Sequence, residues 1–284
     1  YQLELDDGTF VVGKFYRPGR WSREAIAAEH HFLFELEEEE IPVAVPVEID
    51  DGRTIGEVDS IFYALFRRVG GRAPEEPTDE QYRVLGRLVA RIHNVGARRP
   101  EPQRLRLTPA TYGADNLAHL LEHDLVHPEA RAVFEATVQA LLDRITPLFQ
   151  DLQEIRLHGD CHLGNLLWAP DGPTFVDFDD MLTGPPVQDI WLLAPAYDHE
   201  GRRQRELIVD AYRDMRDFPA RWLKLVEPLR ALRFIHYATW IARRRNDPAF
   251  QRAFPHFGTL QYWQREAQDL REQIARIDQE IYGG

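Results

Sequence analysis

The first part of the chain alternates hydrophobic and polar positions in the way that β-strands do. Residues 1–5 and 9–16 are rich in aromatic and β-branched side chains. Asp6-Asp7-Gly8 between them is a tight-turn sequence, because glycine adopts a positive φ without strain. The pattern predicts a β-hairpin that carries Lys14 on its second strand.

A helix and two further strands are predicted to complete this region. Ser22 is a suitable N-cap, and hydrophobic positions at helical spacing continue from it to about Glu40. Strand patterns follow near residues 53–57 and 60–66. Up to that point, the sequence indicates a small β-rich region built around one helix.

The remainder of the chain is dominated by helical periodicity. Thr78 and Gln81 form a capping box in front of an amphipathic stripe, and most later segments have the same 3.6-residue spacing. Residues 155–178 interrupt the helices with a β-loop-β pattern. The predicted fold class is α+β, with two lobes. We expect an N-terminal lobe at 1–66, a hinge at 67–72 and a helical C-terminal lobe at 73–284.

Composition narrows the range of partners. The 284 residues carry a formal net charge of −13, which disfavours general binding to nucleic acid or to anionic lipid. Cys161 is the single cysteine, so an intrachain disulfide is impossible, and no apolar run is long enough for a membrane span. These features lead us to expect a cytoplasmic globular protein without nucleic-acid or membrane partners.

The densest group of chemically capable side chains flanks the β-loop-β segment. Asp160 and Asn165 are five residues apart, and Asp177 follows the next strand. Phosphoryl transfer requires oxygen ligands for a metal and a carboxylate near the attacking hydroxyl, rather than covalent catalysis by the protein. This set supplies both kinds of group.

The predicted first helix provides an independent indication. Glu29 lies among hydrophobic residues at helical offsets, so its carboxylate should be buried. A buried carboxylate without a cationic partner is costly, and Lys14 on the preceding strand is the nearest candidate. The sequence therefore predicts a Lys14–Glu29 pair.

The sequence His158-Gly159-Asp160, with Asn165 and Asp177, resembles the aminoglycoside phosphotransferase and choline kinase superfamily, which shares the protein-kinase fold. The resemblance implies that Asp160 is catalytic and orients the acceptor hydroxyl. It also implies that Asn165 and Asp177 bind Mg²⁺ and that Asp177 is a second catalytic residue. It implies ATP as co-substrate.

In the same fold, a strand lysine and a helix glutamate position the nucleotide phosphates, and these roles would fall to Lys14 and Glu29. Phe66 resembles the residue behind the adenine, and the backbones of Arg67 and Val69 resemble its hinge. A phosphate-covering loop is expected to precede Tyr1. Asp189 resembles an aspartate that supports the catalytic loop.

Several segments spread over most of the chain carry a narrower resemblance, namely residues 12–18, 69–72, 158–162, 184–191, 227–230 and 247–250. They resemble a bacterial family of cytoplasmic serine/threonine protein kinases linked to stress response. This resemblance implies a protein substrate with a Ser or Thr acceptor, autophosphorylation and a monomeric state.

Several alternatives remain open on sequence grounds. The same catalytic groups would serve a small-molecule kinase acting on an amino alcohol or an aminoglycoside, and a pseudokinase scaffold would keep the fold without turnover. His158 and His162 on either side of Asp160 also fit a metal hydrolase. Asp179 and Asp180 are either metal-assisting groups or turn residues, whereas Cys161 is expected to be a buried thiol.

Overall fold

The computed structural model describes residues 1–245, 247 and 252–282; residues 248–250 of the C-terminal sequence match lie outside this part. The strands are β1 (Gln2–Glu4), β2 (Phe10–Phe15), β3 (Gly56–Val58), β4 (Ile61–Arg67), β5 (Ile155–Leu157), β6 (Leu166–Ala169), β7 (Gly172–Phe175) and β8 (Leu182–Gly184). The α-helices are α1 (Arg23–Glu38), α2 (Asp79–Gly96), α3 (Asp115–Glu122), α4 (Pro128–Ile145), α5 (Val187–Leu193), α6 (His199–Tyr212), α7 (Val226–Arg243) and α8 (Leu260–Tyr282).

A four-stranded antiparallel sheet in the order β1-β2-β4-β3 forms from the first strands. The predicted hairpin is confirmed: the Gly8 amide donates to the Leu5 carbonyl at 2.8 Å, and Gly8 has a φ of +80°. Lys14 pairs with Ala64 across β2 and β4. This register fixes the position of Lys14 along the sheet, because a shift of β2 by one residue would move its buried side chains to the opposite face.

Helix α1 begins where the sequence predicts. The Ser22 hydroxyl accepts a hydrogen bond from the Ala25 amide at 3.2 Å, which satisfies one of the free donors of the first turn. Ile26, Phe32 and Leu36 are fully buried along one face of the helix. Glu29 lies on this same buried face, as its helical offset predicts.

The β-rich insertion differs in one respect from the sequence prediction. Strands β6 and β7 form the expected hairpin, with Leu166 opposite Phe175. Strand β5 does not join them; it pairs with β8, which the sequence analysis missed. A three-residue strand has too few positions to show a periodic pattern, so its partner decides whether it forms.

The described structure packs as two compact units. One comprises Tyr1–Leu105 with Gln153–Phe218, and the other comprises Arg106–Leu152 with Pro219–Gly284. In the first unit, α2 packs against α6 so closely that a side chain at Gly86 would meet the Ile208 carbonyl. In the second, Phe134 on α4 makes an edge contact with Trp263 on α8 at 5.0 Å between ring centroids. These two units are defined by packing, whereas the predicted lobes and hinge are defined by where a nucleotide would bind. The lobes and the hinge therefore remain predictions.

None of the helices in the described part of the chain combines the length and the hydrophobicity that a bilayer crossing requires.

Candidate active site

Lys14 stands at the centre of an ionic cluster in the first unit. Its Nζ lies 2.7 Å from Asp177 Oδ1, 3.3 Å from Asp179 Oδ1 and 3.9 Å from Glu29 Oε1. Burial opposes the charged ammonium, but Glu29, Asp179 and Asp177 together outweigh that effect and hold the pKa of Lys14 above its ordinary value. The predicted proximity of Lys14 and Glu29 is therefore present in the structure.

Glu29 is 1% exposed, and neither of its carboxylate oxygens has a hydrogen-bond partner among the described residues. Burial raises the pKa of Glu29 to about 7, although the nearby charge of Lys14 acts in the opposite direction. At neutral pH, this carboxyl is thus divided between its ionised and protonated forms. Its contact with Lys14, at 3.9 Å, is an ion pair without a hydrogen bond.

Asp177 follows β7 and adopts a left-handed backbone conformation, with a φ of +63°. This conformation is unfavourable for a residue with a side chain, and it persists only where the surroundings enforce it. Burial acts to raise the pKa of Asp177, but the charge of Lys14 and the hydrogen bond from it prevail and lower the pKa. The carboxylate is therefore ionised and presented on an exposed side chain.

Backbone and side-chain hydrogen bonds join the loop that carries Asp160 and Asn165 to the segment that carries Asp177. The Val176 amide donates to the Asn165 carbonyl at 3.0 Å. The Asn165 side-chain nitrogen donates to the Asp160 carbonyl at 3.0 Å. This bond engages the nitrogen of the Asn165 amide, so its oxygen is the atom left to serve a ligand. The Asp160 carboxylate is partly exposed, and its Oδ2 lies 3.4 Å from His162 Nε2.

Asp189 at the start of α5 supports this loop, as the family resemblance implies. Its two carboxylate oxygens accept hydrogen bonds from the amides of His158 at 3.0 Å and of Gly159 at 2.9 Å. His93 on α2 contributes a third hydrogen bond at 3.1 Å, from a fully buried ring. Sequence reasoning missed His93, because a lone histidine on a helix gives no indication of a distant partner.

A cavity of about 660 Å³ opens beside the ionic cluster. That volume lies within the range of small-molecule sites. Of the predicted site residues, Lys14, Glu29, Phe66, Arg67, Val69 and Asp177 line it, whereas Asp160 and Asn165 are not in its wall. Sequence reasoning missed the apolar lining residues Leu33, Ala44, Leu167 and Val176. The sequence offered one signal for Leu167. It lies two positions after Asn165, and side chains two positions apart along a strand lie on the same face.

The residue predicted to lie behind the adenine, Phe66, and the predicted hinge residues Arg67 and Val69 all line this wall. The Phe66 ring lies 5.9 Å from Lys14 Nζ. The Arg67 amide donates to the Val45 carbonyl at 3.1 Å, so the Arg67 backbone could only accept a hydrogen bond from a ligand, through its carbonyl oxygen. The Val69 amide donates to no group in the described part of the chain. That leaves a backbone donor on the wall of the cavity.

Two arginines that the sequence analysis did not select also contact this region. Arg20 forms ion pairs with Asp179 and Asp180, and Arg104 is buried against the backbone of the same segment. His158 and Cys161 are each 1% exposed. Burial raises the pKa of the Cys161 thiol well above its ordinary value, so the thiol is a poor nucleophile. The hydrolase alternative gains no support, because His158 donates to the Val176 carbonyl instead of facing a ligand.

The residues at this site fit a magnesium ion. Mg²⁺ prefers oxygen ligands, and it commonly takes only one or two from the protein while phosphate oxygens and water complete its coordination. The Asp177 carboxylate and the Asn165 amide oxygen are ligands of this kind. In this structure, the cation held by Asp177 is the Lys14 ammonium. Within the described residues, no group of three or more His, Cys, Asp or Glu side chains is arranged to hold a metal ion by itself.

Comparison with known proteins shows the class of protein that this fold and site define. A family model described as the phosphotransferase enzyme family matches residues 1–222. The chain belongs to this family, in the group of the stress response kinase A proteins.

Two relatives in that group are stress response kinase A of Salmonella paratyphi A and the serine/threonine protein kinase RdoA of Salmonella typhimurium. Each is 39% identical to the chain over 274 residues, which are 96% of this chain and 83% of the relative. Stress response kinase A of Escherichia coli is 37% identical over 281 residues, which are 99% of this chain and 85% of the relative.

Solved structures agree on the fold. The amicoumacin kinase hAmiN, in complex with AMP-PNP, Ca²⁺ and Ami, has a TM-score of 0.72 at 17% identity, covering 95% of this chain and 84% of its own. The microcompartment-associated aminopropanol kinase has a TM-score of 0.69 at 20% identity, covering 98% of this chain and 88% of its own. The predicted α+β fold of the aminoglycoside phosphotransferase type is thereby confirmed.

Proposed function

We propose that this protein is a serine/threonine protein kinase that transfers the γ-phosphate of ATP to protein hydroxyl groups, including its own. The observation that carries the proposal is the convergence of Lys14, Glu29 and Asp177 on one wall of a nucleotide-sized cavity. The name of the Salmonella typhimurium relative supports a protein acceptor. The names of the other relatives support a role in stress response.

Each side chain has a role that follows from its position. Lys14 would exchange the Asp177 carboxylate for the phosphates of ATP, and Glu29 would hold the ammonium in place during this exchange. Phe66, Arg67 and Val69 would receive the adenine. Asp160 would accept a hydrogen bond from the acceptor hydroxyl and orient it toward the phosphate. The Asp160 carbonyl accepts a hydrogen bond from the Asn165 side chain, which links the two groups.

Asn165 and Asp177 would hold the magnesium ion, which neutralises phosphate charge when it is bound. The β6–β7 hairpin already joins the backbones on either side of them, and Asp189 braces the loop from behind. Preorganisation of this kind is the main contribution that a protein makes to phosphoryl transfer.

The deciding experiment is incubation of the purified chain with γ-labelled ATP, magnesium and a cell extract separated into macromolecules and small molecules. The Asp160→Ala variant and a sample with EDTA serve as controls. We expect label on serine or threonine of proteins, dependent on magnesium and absent with the variant. Labelling of the chain alone at several concentrations separates transfer within one molecule from transfer between molecules.

The fold is shared with kinases of small molecules, so the small-molecule fraction is an informative arm. Label that accumulates only there, on an amino alcohol or an aminoglycoside, would contradict the protein-kinase proposal. Nucleotide binding without transfer to either fraction, and without hydrolysis, would contradict enzymatic function and favour a scaffold.

A further inference from the structure

Arg20 lies between the two elements that carry Lys14 and Glu29. It belongs to the connection from β2 to α1, where its amide donates to the Arg17 carbonyl at 3.1 Å and Gly19 has a φ of +75°. The tight turn directs the Arg20 side chain toward residues 177–181, which we call the acidic turn.

The Arg20 guanidinium binds two consecutive carboxylates of the acidic turn. One terminal nitrogen lies 3.0 Å from Asp179 Oδ2, and the other lies 2.6 Å from Asp180 Oδ1. Asp179 is therefore shared, because its second oxygen lies 3.3 Å from Lys14 Nζ. The planar fork of arginine spans two acceptors at fixed separation, which a lysine cannot do.

Arg104 holds the backbone of the same turn from the other side. Its guanidinium donates to the carbonyls of Asp179 and of Met181, the latter at 2.8 Å. The Trp21 ring centroid lies near both arginines, 4.1 Å from Arg104 Cζ and 5.5 Å from Arg20 Cζ. The main chain thus has its own support, and Arg20 acts on the carboxylates.

The ion pair between Arg20 and Asp179 changes the balance of charge around Lys14. Asp177, Asp179 and Glu29 all lie within 4 Å of its ammonium. If Arg20 did not neutralise Asp179, this carboxylate would compete with the nucleotide phosphates for Lys14. Asp177 also needs a constrained turn, because its left-handed backbone would relax if the residues after it were free.

We propose that Arg20 is a positioning residue for binding of the metal-nucleotide complex. By holding Asp179 and Asp180, it keeps the Asp177 carboxylate directed at the metal and leaves Lys14 available to the phosphates. The inference rests on the proposed function. Arg20 acts on the site indirectly, through Asp179 and Asp180.

The test compares Arg20→Gln with the parent by calorimetric titration of AMP-PNP, once with magnesium and once with EDTA. We expect the Kd with magnesium to rise roughly tenfold, as for other side chains that orient metal ligands, and the Kd with EDTA to change less than about twofold. The matched control is Arg23→Gln, because Arg23 forms its ion pair with Glu57 at the exposed edge of the sheet. The control should bind as the parent does under both conditions.

The possible results of these titrations distinguish the proposed function from the positioning role of Arg20. A parent that gains no affinity from magnesium contradicts the proposed function and this inference with it. A parent that does gain, together with a parent-like Arg20→Gln, overturns the inference alone. Equal losses with magnesium and with EDTA also overturn it, because they indicate general misalignment of the cavity.

If Arg20→Gln does not fold, as judged by its melting curve, Arg20→Lys decides the matter. This variant keeps the charge but loses the fork, so an intermediate loss of roughly threefold in the presence of magnesium is expected. Parent-like affinity in Arg20→Lys would then overturn the inference.

Discussion

Replacement of Glu29 by glutamine tests how the buried carboxyl governs stability. Its pKa rises from 4.5 in the unfolded chain to about 7 in the folded protein, mainly because of burial. A group whose pKa is raised by folding contributes stability that is fully present below the unfolded pKa and is lost as the pH rises through the folded pKa. The relevant window therefore extends from about pH 4.5 to just above pH 7.

The expected magnitude follows from the same two values. Their difference, at about 1.4 kcal/mol per pH unit, corresponds to about 3 kcal/mol. No reduction for solvent screening is needed, since Glu29 is 1% exposed. The parent should lose about this much stability from Glu29 between pH 5 and pH 8, whereas Glu29→Gln should lose none from this position.

The assay is urea unfolding of the parent and the variant at intervals from pH 5 to pH 8, in EDTA and without nucleotide. The quantity of interest is the difference in unfolding free energy between the two proteins at each pH, because other titrating groups cancel in it. Glu38→Gln, at an exposed position of α1, is the control and should follow the parent at every pH. A difference between parent and Glu29→Gln that is constant within about 0.5 kcal/mol across this range would refute the reasoning.

Three further substitutions test the proposed roles. Asp160→Ala should lower the rate of phosphoryl transfer by roughly 10²- to 10⁴-fold while nucleotide affinity stays within about twofold, as measured by steady-state kinetics and calorimetry; equal rates would exclude Asp160 as the orienting group. Asp177→Ala should weaken the magnesium dependence of nucleotide binding, and an unchanged magnesium titration would argue against a metal ligand there. Asp189→Ala should cost about 3 kcal/mol in urea unfolding, because it leaves buried donors unpaired; a loss below about 1 kcal/mol would contradict the brace.

Much of the site was predictable because its indications are local. The hairpin before Lys14, the Ser22 cap and the burial of Glu29 all follow from hydrogen bonds and periodicity within a few residues. The approach of Lys14 to Glu29 followed from one further rule, that a buried carboxylate requires a cation. The backbone of Asn165 lies beside the segment that leads to Asp177 because a hairpin aligns the ends of its two strands.

Other features depend on distant parts of the chain, and no local pattern marks them. Arg20 contacts carboxylates about 160 residues away, and His93 reaches Asp189 from another helix. Strand β8 exists because β5 lies beside it. The general cause is that a charged side chain in a loop has the same local sequence whether it faces water or a partner.

The sequence by itself determined the order of the main helices and strands and the buried face of α1. It also identified the acidic and amide side chains of the candidate site, Asp160, Asn165 and Asp177. Periodicity and capping are short-range, so they can be seen without coordinates. Only the tertiary structure decided which cation neutralises which carboxylate, including the pairing of Lys14 with Asp177. Such pairings depend on distances of a few ångströms between segments, and only the folded chain brings those segments together.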